Sequence, residues 1–126
     1  MKRLAIAWGL LFAVVSLGWL GQFYLHSSTQ HLEEQASQAQ QWGENELWDT
    51  AYQTCENLRG DWEKTHDILC LFVDHGMLEN IEKEVALLPQ LCIDRDLTEL
   101  NRHCVLLKMY TEHLVQSETL SWKNVL

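Results

Sequence analysis

The 126-residue chain holds one proline, Pro89, and only three glycines beyond residue 25, at Gly43, Gly60 and Gly76. A glycine-rich phosphate cradle is therefore missing, and no P-loop, G-x-S-x-G elbow or H-E-x-x-H helix occurs. No cofactor is implied. Basic residues are also scarce: beyond residue 25, seven Lys and Arg stand against eighteen Asp and Glu, a balance of −11. Affinity for nucleic acid comes mainly from Lys and Arg neutralising phosphate, so nucleic acid is excluded as a partner. The carboxylates themselves fall at helix starts and on polar faces, where they read as solvated surface. Asp94, Asp96 and Glu99 resemble a calcium loop only superficially, because Glu99 and Val105 stand where the EF-hand needs glycine and glutamate.

What the chain does have is a long apolar run, "LAIAWGLLFAVVSLGWLGQFYL", from Leu4 to Leu25, with only Ser16 and Gln22 polar and no charge. Its 22 residues would extend about 33 Å as a helix, against a hydrocarbon core of about 30 Å. A cleavable signal peptide is the competing reading. Its apolar stretch is usually about 7 to 15 residues and ends at a small-x-small site, whereas this run offers only Ser16-Leu17-Gly18 midway. Residues 1–25 are expected to be an uncleaved membrane anchor. Lys2 and Arg3 precede it and no further Lys or Arg follows until Arg59. By the positive-inside rule the N-terminus is cytoplasmic and the C-terminal body lies outside the cell membrane. Trp19, Phe23 and Tyr24 suit the aromatic belt at the outer interface.

Residues 26–43 are polar and Gln-rich, with Leu32, Ala36 and Ala39 as a thin stripe at i, i+4 and i+7. They read as a stalk that can pair with a second copy, though three small contacts do not establish a coiled coil. Residues 44–126 form the body. Its first helix carries Trp48, Ala51, Tyr52, Cys55, Leu58, Trp62 and Leu69 at helical spacing, with Gly60 an interior weak point. Asp74, His75 and Gly76 make a turn in which Asp caps the next helix and Gly closes the previous one. The second stripe is Met77 or Leu78, Ile81, Val85, Leu88 and Cys92, and Pro89 should kink or stop that helix near Leu88. "DLTE", Asp96 to Glu99, has capping-box spacing and opens a third helix along Leu97, Leu100, Cys104, Leu107 and Leu114. Its wide apolar face implies two neighbours. The tail "SETLSWKNVL" brings Leu120, Trp122, Val125 and Leu126, read as docking on a groove of the bundle.

The expected architecture is all-α: an N-terminal transmembrane helix, a polar stalk, then an antiparallel three-helix bundle. Four cysteines in an exported domain invite disulfides. Cys55 and Cys70 lie fifteen residues apart on one helix, about 22 Å along its axis, too far to bridge. An antiparallel second helix instead brings Cys92 to the level of Cys55, which makes Cys55 and Cys92 the bridge the layout favours. "DWEKTHDILCLFVDH" also places His66 and Cys70 at i, i+4 on one face, a metal half-site that His103 or Cys104, on a third helix parallel to the first, would extend. A structural zinc site uses four ligands with short spacings such as C-x2-C, and none occurs here. The plainer reading makes Trp62 to Phe72 a core-facing stripe with His66 at its edge.

The basic start and apolar run, the Trp-rich helix, "FVDH" leading to "ENIEKEVALL", and the ending "LSWKNVL" appear in order along nearly the whole chain. Carried by Trp62, Phe72, Asp74, His75, Asn80, Ile81, Asn124 and Leu126, this pattern resembles the family catalogued as domain of unknown function 4363. That family comprises short proteins of spore-forming Gram-positive bacteria. The resemblance implies a membrane anchor and an external helical domain, and it carries over no catalytic residue. Four cysteines depart from the family's pattern, so no family-wide disulfide or metal role is implied. The expected function is a non-enzymatic interaction or scaffold protein of the cell envelope, with a role in sporulation where the resemblance extends that far. Its partners would be the membrane, an unidentified protein and, through the stalk, a second copy. The alternative is a metal- or redox-responsive envelope sensor using His66, Cys70 and Cys104, or a Cys55–Cys92 bridge.

Overall fold

The computed structural model describes residues 1–71 and 73–125, with side chains through Leu120. Among these residues the chain forms four helices and no strand: α1 (Lys2–Glu44), α2 (Trp48–Leu69), α3 (His75–Ile93) and α4 (Leu97–Val125). Each helix packs on the next and α4 closes against α1. The result is an up-down-up-down ring joined by short turns, with α4 flanked by two neighbours as its wide apolar face requires.

α1 is a single helix of 43 residues, and its two halves meet different surroundings. The large apolar side chains from Leu4 to Leu20, among them Phe12, Leu17 and Trp19, are exposed around the helix. This half is long and apolar enough to cross a membrane, and none of its most apolar 18 residues is buried. From Leu25 onward, one stripe turns inward: Leu25, Thr29, Leu32, Ala36, Ala39 and Gly43 are buried. Their spacings of three and four keep them on one side of the helix.

The body is therefore a four-helix bundle and not three helices above a stalk. Residues 26–43 pack against α2 and α4. Small side chains made this stripe look too thin to pack, yet they are what lets the neighbouring helices come close. A Cβ added at Gly43 would lie 3.0 Å from Leu100 Cδ2 and 3.3 Å from the Trp48 ring. Gly43 thus sits in the last turn of α1 as a contact point, at the position where the stalk was expected to end. Polar groups fasten the same segment on both sides. Gln35 Nε2 donates to Asp61 Oδ2 of α2 at 2.9 Å, and Lys108 Nζ of α4 donates to Gln40 Oε1 at 2.9 Å. The buried Thr29 hydroxyl donates within α1 to the Leu25 carbonyl at 2.9 Å. Tyr24 also packs against the core, leaving Trp19 and Phe23 exposed as interfacial aromatics would be.

The expected stripes on α2, α3 and α4 are largely the buried ones: Ala51, Cys55, Leu58, Trp62 and Leu69; Leu78, Ile81, Val85, Leu88 and Cys92; Leu100, Cys104, Leu107 and Leu114. Pro89 neither stops nor ends α3, which continues to Ile93. A helix-interior proline costs about 3 kcal/mol. Burial of Leu88, Leu91 and Cys92 around it offsets this, since a buried leucine alone contributes about 1.5 to 3 kcal/mol. Asp74 caps α3 by accepting the Gly76 N–H at 3.4 Å, and Asp96 caps α4 by accepting the Glu99 N–H at 3.1 Å. Gly76 lies inside α3 and does not close α2. Phe72, Leu126 and the side chains of Trp122, Asn124 and Val125 lie outside the described residues, as does the docking expected of the tail.

The two turns farthest from the apolar segment share one device. Leu47 N–H donates to the Trp42 carbonyl and Glu46 N–H to that of Gly43; Asp96 N–H donates to Leu91 and Arg95 N–H to Cys92. These are paired six-to-one and five-to-two closures of a helix end, which favour glycine at the left-handed position. Here Glu46 (φ 61°) and Arg95 (φ 54°) occupy it. Both turns hold a side chain in a backbone region it adopts reluctantly. Arg95→Gly should therefore stabilise the fold by about 0.5 to 1 kcal/mol. Gly60→Ala should do the same, since Gly60 is inside α2 with nothing within 4 Å of an added Cβ. Thermal unfolding followed by circular dichroism checks both, and a lower midpoint for either would contradict this account.

Candidate functional site

The half of the bundle away from the apolar segment holds three buried thiols. Cys55 comes from α2, Cys92 from α3 and Cys104 from α4. Each occupies a core position of its stripe, so helical spacing alone delivers all three to the interior. Cys55 Sγ and Cys92 Sγ are 3.6 Å apart, at 0% and 2% exposure. This is the pair that the antiparallel layout brings to one level. The contact with Cys92, then burial, holds the Cys55 thiol well above its usual range. The same contact pulls Cys92 down against its own burial, because a Cys92 thiolate would accept the Cys55 proton. Cys104 lacks such a partner, and burial pushes its thiol up to about 12.

The expected metal candidates do not converge. His66 and Cys70 meet at the end of α2, with Cys70 Sγ 3.5 Å from His66 Nε2. Glu82 Oε2 of α3 lies 3.9 Å from the same nitrogen. Cys104 belongs to the other half. It lies seven residues into α4, at the end of the bundle where α2 begins, whereas His66 is eleven residues beyond Cys55, about 16 Å along α2. Among the described residues no group of three or more His, Cys, Asp and Glu side chains is placed to hold a metal ion. His66 instead makes an edge contact with the Trp62 ring at 5.9 Å between centroids.

His103, the other expected candidate, is engaged elsewhere. Its Nδ1 lies 2.5 Å from Glu84 Oε2 and its Nε2 3.3 Å from Glu99 Oε2, so it ties α4 to α3 beside the thiols. Sequence spacing showed His103 and Glu99 as i, i+4 neighbours, but Glu84 was one of many acids on a polar face. Also hidden from sequence were two buried polar atoms, Trp62 Nε1 and Gln35 Oε1, that have no hydrogen-bond partner among the described residues and belong to side chains lining a small cleft between α1 and α2. Two broader surface clefts are polar. One is lined by Gln30, Glu33, Glu34, Gln38, Gln41 and Lys108, the other by Glu46 to Thr50 with Arg95.

Fold and thiol geometry together define an all-α four-helix bundle whose first helix projects as a long apolar segment. A family model described as a domain of unknown function, DUF4363, matches residues 19–125, and the chain belongs to that family. The match begins within the apolar segment and covers the whole bundle. Neither the curated proteins nor the solved structures include a match to the chain.

Thiol reactivity follows from burial. Alkylation of the reduced, native protein near neutral pH should modify half-buried Cys70 first, with Cys104 unreactive until the bundle unfolds. Peptide mass mapping reads the order. Early labelling of Cys104 would show that its burial and raised pKa are not maintained in solution.

Proposed function

We propose that the chain is a membrane-anchored, non-enzymatic interaction protein of the cell envelope, its helical body outside the cytoplasmic membrane. The observation that carries this reading is α1, apolar through Leu20, exposed on every face through Val14, and built into the bundle from Leu25. A segment exposed on every face needs lipid around it, and a helix that continues without a break hands the body a fixed footing. Lys2 and Arg3 before the segment, with no Lys or Arg after it until Arg59, support the outward orientation. The two broad clefts among the described residues are open and present polar side chains, a surface that suits protein recognition. A role in sporulation belongs to this reading through the family resemblance, whereas the Leu32, Ala36 and Ala39 stripe expected to pair with a second copy is instead buried within the bundle.

Membrane fractionation and protease access test it. The full chain should stay with membranes after an alkaline carbonate wash. Its body should be cleaved when protease is added to intact protoplasts. Release by carbonate, or a body cut only after lysis, would contradict the proposal.

The 3.6 Å approach of Cys55 and Cys92 favours a second reading, a redox-responsive envelope protein. Two thiols would lose two protons and two electrons to an incoming disulfide, which becomes two thiols, and one sulfur–sulfur bond would join α2 to α3. Closing a loop between residues 37 apart stabilises the fold by about 3 to 4 kcal/mol in the chain-entropy view. Metal sensing has less support, because His66 and Cys70 form only a two-donor pair. Intact mass after denaturing alkylation decides the redox arm. Protein purified without reductant should take up two labels, at Cys70 and Cys104, and reductant should lower its unfolding midpoint. Four labels would remove this reading.

A further inference from the structure

The end of the bundle nearest the apolar segment carries apolar groups that the core does not use. Gln22 Nε2 of α1 reaches the Glu118 carbonyl of α4 at 3.5 Å. His31 and Gln35 of α1 both reach Asp61 Oδ2 of α2, and ten residues on from Asp61, matched by about ten back along antiparallel α1, brings Leu71 near the level of Gln22. Gln22, Glu118 and the α2–α3 turn thus share one level. That level falls inside the apolar run, three residues before Leu25.

Leu69 and Val73 of the α2–α3 turn point into the core, while Leu71 between them is 83% exposed. No large apolar side chain from Leu4 to Leu25 is as exposed. Ile68, one turn earlier, is also exposed, as are Leu120 of α4 and Phe23 of α1. α4 does not end at Glu118 but continues to Val125, seven residues on, about 10 Å toward the N-terminal end of α1. Val15, Ser16 and Gly18 of α1 are half-buried along that path, whereas residues 1–14 are all exposed.

We propose that this end of the bundle is a second membrane contact, with Leu71 and Leu120 entering the same lipid interface from which α1 emerges. The inference rests on the anchor reading and adds a docking geometry to it. A hydrocarbon core of about 30 Å placed on Leu4–Leu25 has its outer edge close to Gln22. The body then cannot stand clear of the membrane, since its turn and the end of α4 lie at or below that edge. The contact is apolar and not electrostatic. Asp67, Asp74 and Glu118 at this end would repel anionic headgroups, so neutral lipid suffices.

Depth-dependent quenching in phosphatidylcholine vesicles tests this on the full chain. An environment-sensitive fluorophore is introduced as a non-natural residue at position 71, 120, 12 or 53, one site per protein. Vesicles carry nitroxide-labelled lipids with the label near the headgroup or deep in the chains. Position 12 should lose emission to the deep label, positions 71 and 120 to the shallow one, and position 53 to neither. Quenching at 12 with 71 and 120 as silent as 53 overturns the second contact and leaves the anchor standing. Silence at all four positions overturns the anchor and the second contact together. Protection of 71 and 120 from aqueous iodide without lipid quenching would assign the surface to a second copy of the chain and overturn the lipid contact.

Discussion

Close approach of α1 to α2 and α4 between Leu25 and Gly43 is the constraint on which the rest of the structure depends. Ala36, Ala39 and Gly43 contribute little apolar area of their own, but they bring in the larger side chains of the neighbouring helices. Leu100 closes on Gly43, and Trp62 and Leu107 fill the interior beside the α1 stripe. Without this packing the other three helices would expose the apolar faces that now meet α1. The polar pairs around it, Gln35 with Asp61 and Gln40 with Lys108, are part-buried and fix rotation and register more than they add stability.

A consequence is that the apolar segment and the body are one mechanical unit. A flexible stalk would let the body tumble over a membrane surface, whereas a helix packed on two sides fixes its axis and its height. The two ends of the bundle then differ in chemistry. One end presents Leu71 and Leu120 beside the apolar segment, and the other holds the left-handed turns at Glu46 and Arg95 with a polar cleft between them. The thiol pair lies toward the latter, between α2 and α3, the two helices whose shared turn ends near the level of Gln22 while α1 and α4 continue beyond it.

Much of this was legible in the residues, for reasons that also explain the errors. The stripes of α2, α3 and α4 rest on Leu, Ile, Val and Trp, whose size makes helical periodicity plain. Rise per residue with an antiparallel second helix put Cys92 near the level of Cys55, and the structure brings the two sulfurs to 3.6 Å. The stripe of α1 was visible at Leu32, Ala36 and Ala39 but undervalued, because small side chains carry a weak apolar signal and Leu25 had been counted within the membrane span. Missing that stripe turned four packed helices into three and a stalk. Pro89 misled because its local cost was visible while the burial around it was not. The left-handed turns were hidden because Glu46 and Arg95 stand where glycine would have marked them. His66, Cys70 and Cys104 share chemistry, yet the level each occupies along the bundle keeps Cys104 from the other two.

The continuity of α1 is most directly tested by a distance across its midpoint. Spin labels introduced as non-natural residues at positions 14 and 38, both exposed, would span 24 residues of the full chain in lipid nanodiscs. An unbroken helix predicts a single narrow distribution near 36 Å, at about 1.5 Å per residue, allowing for label length. A broad or markedly shorter distribution would mean that the helix breaks between the apolar segment and the bundle, and the body would then be free of its footing.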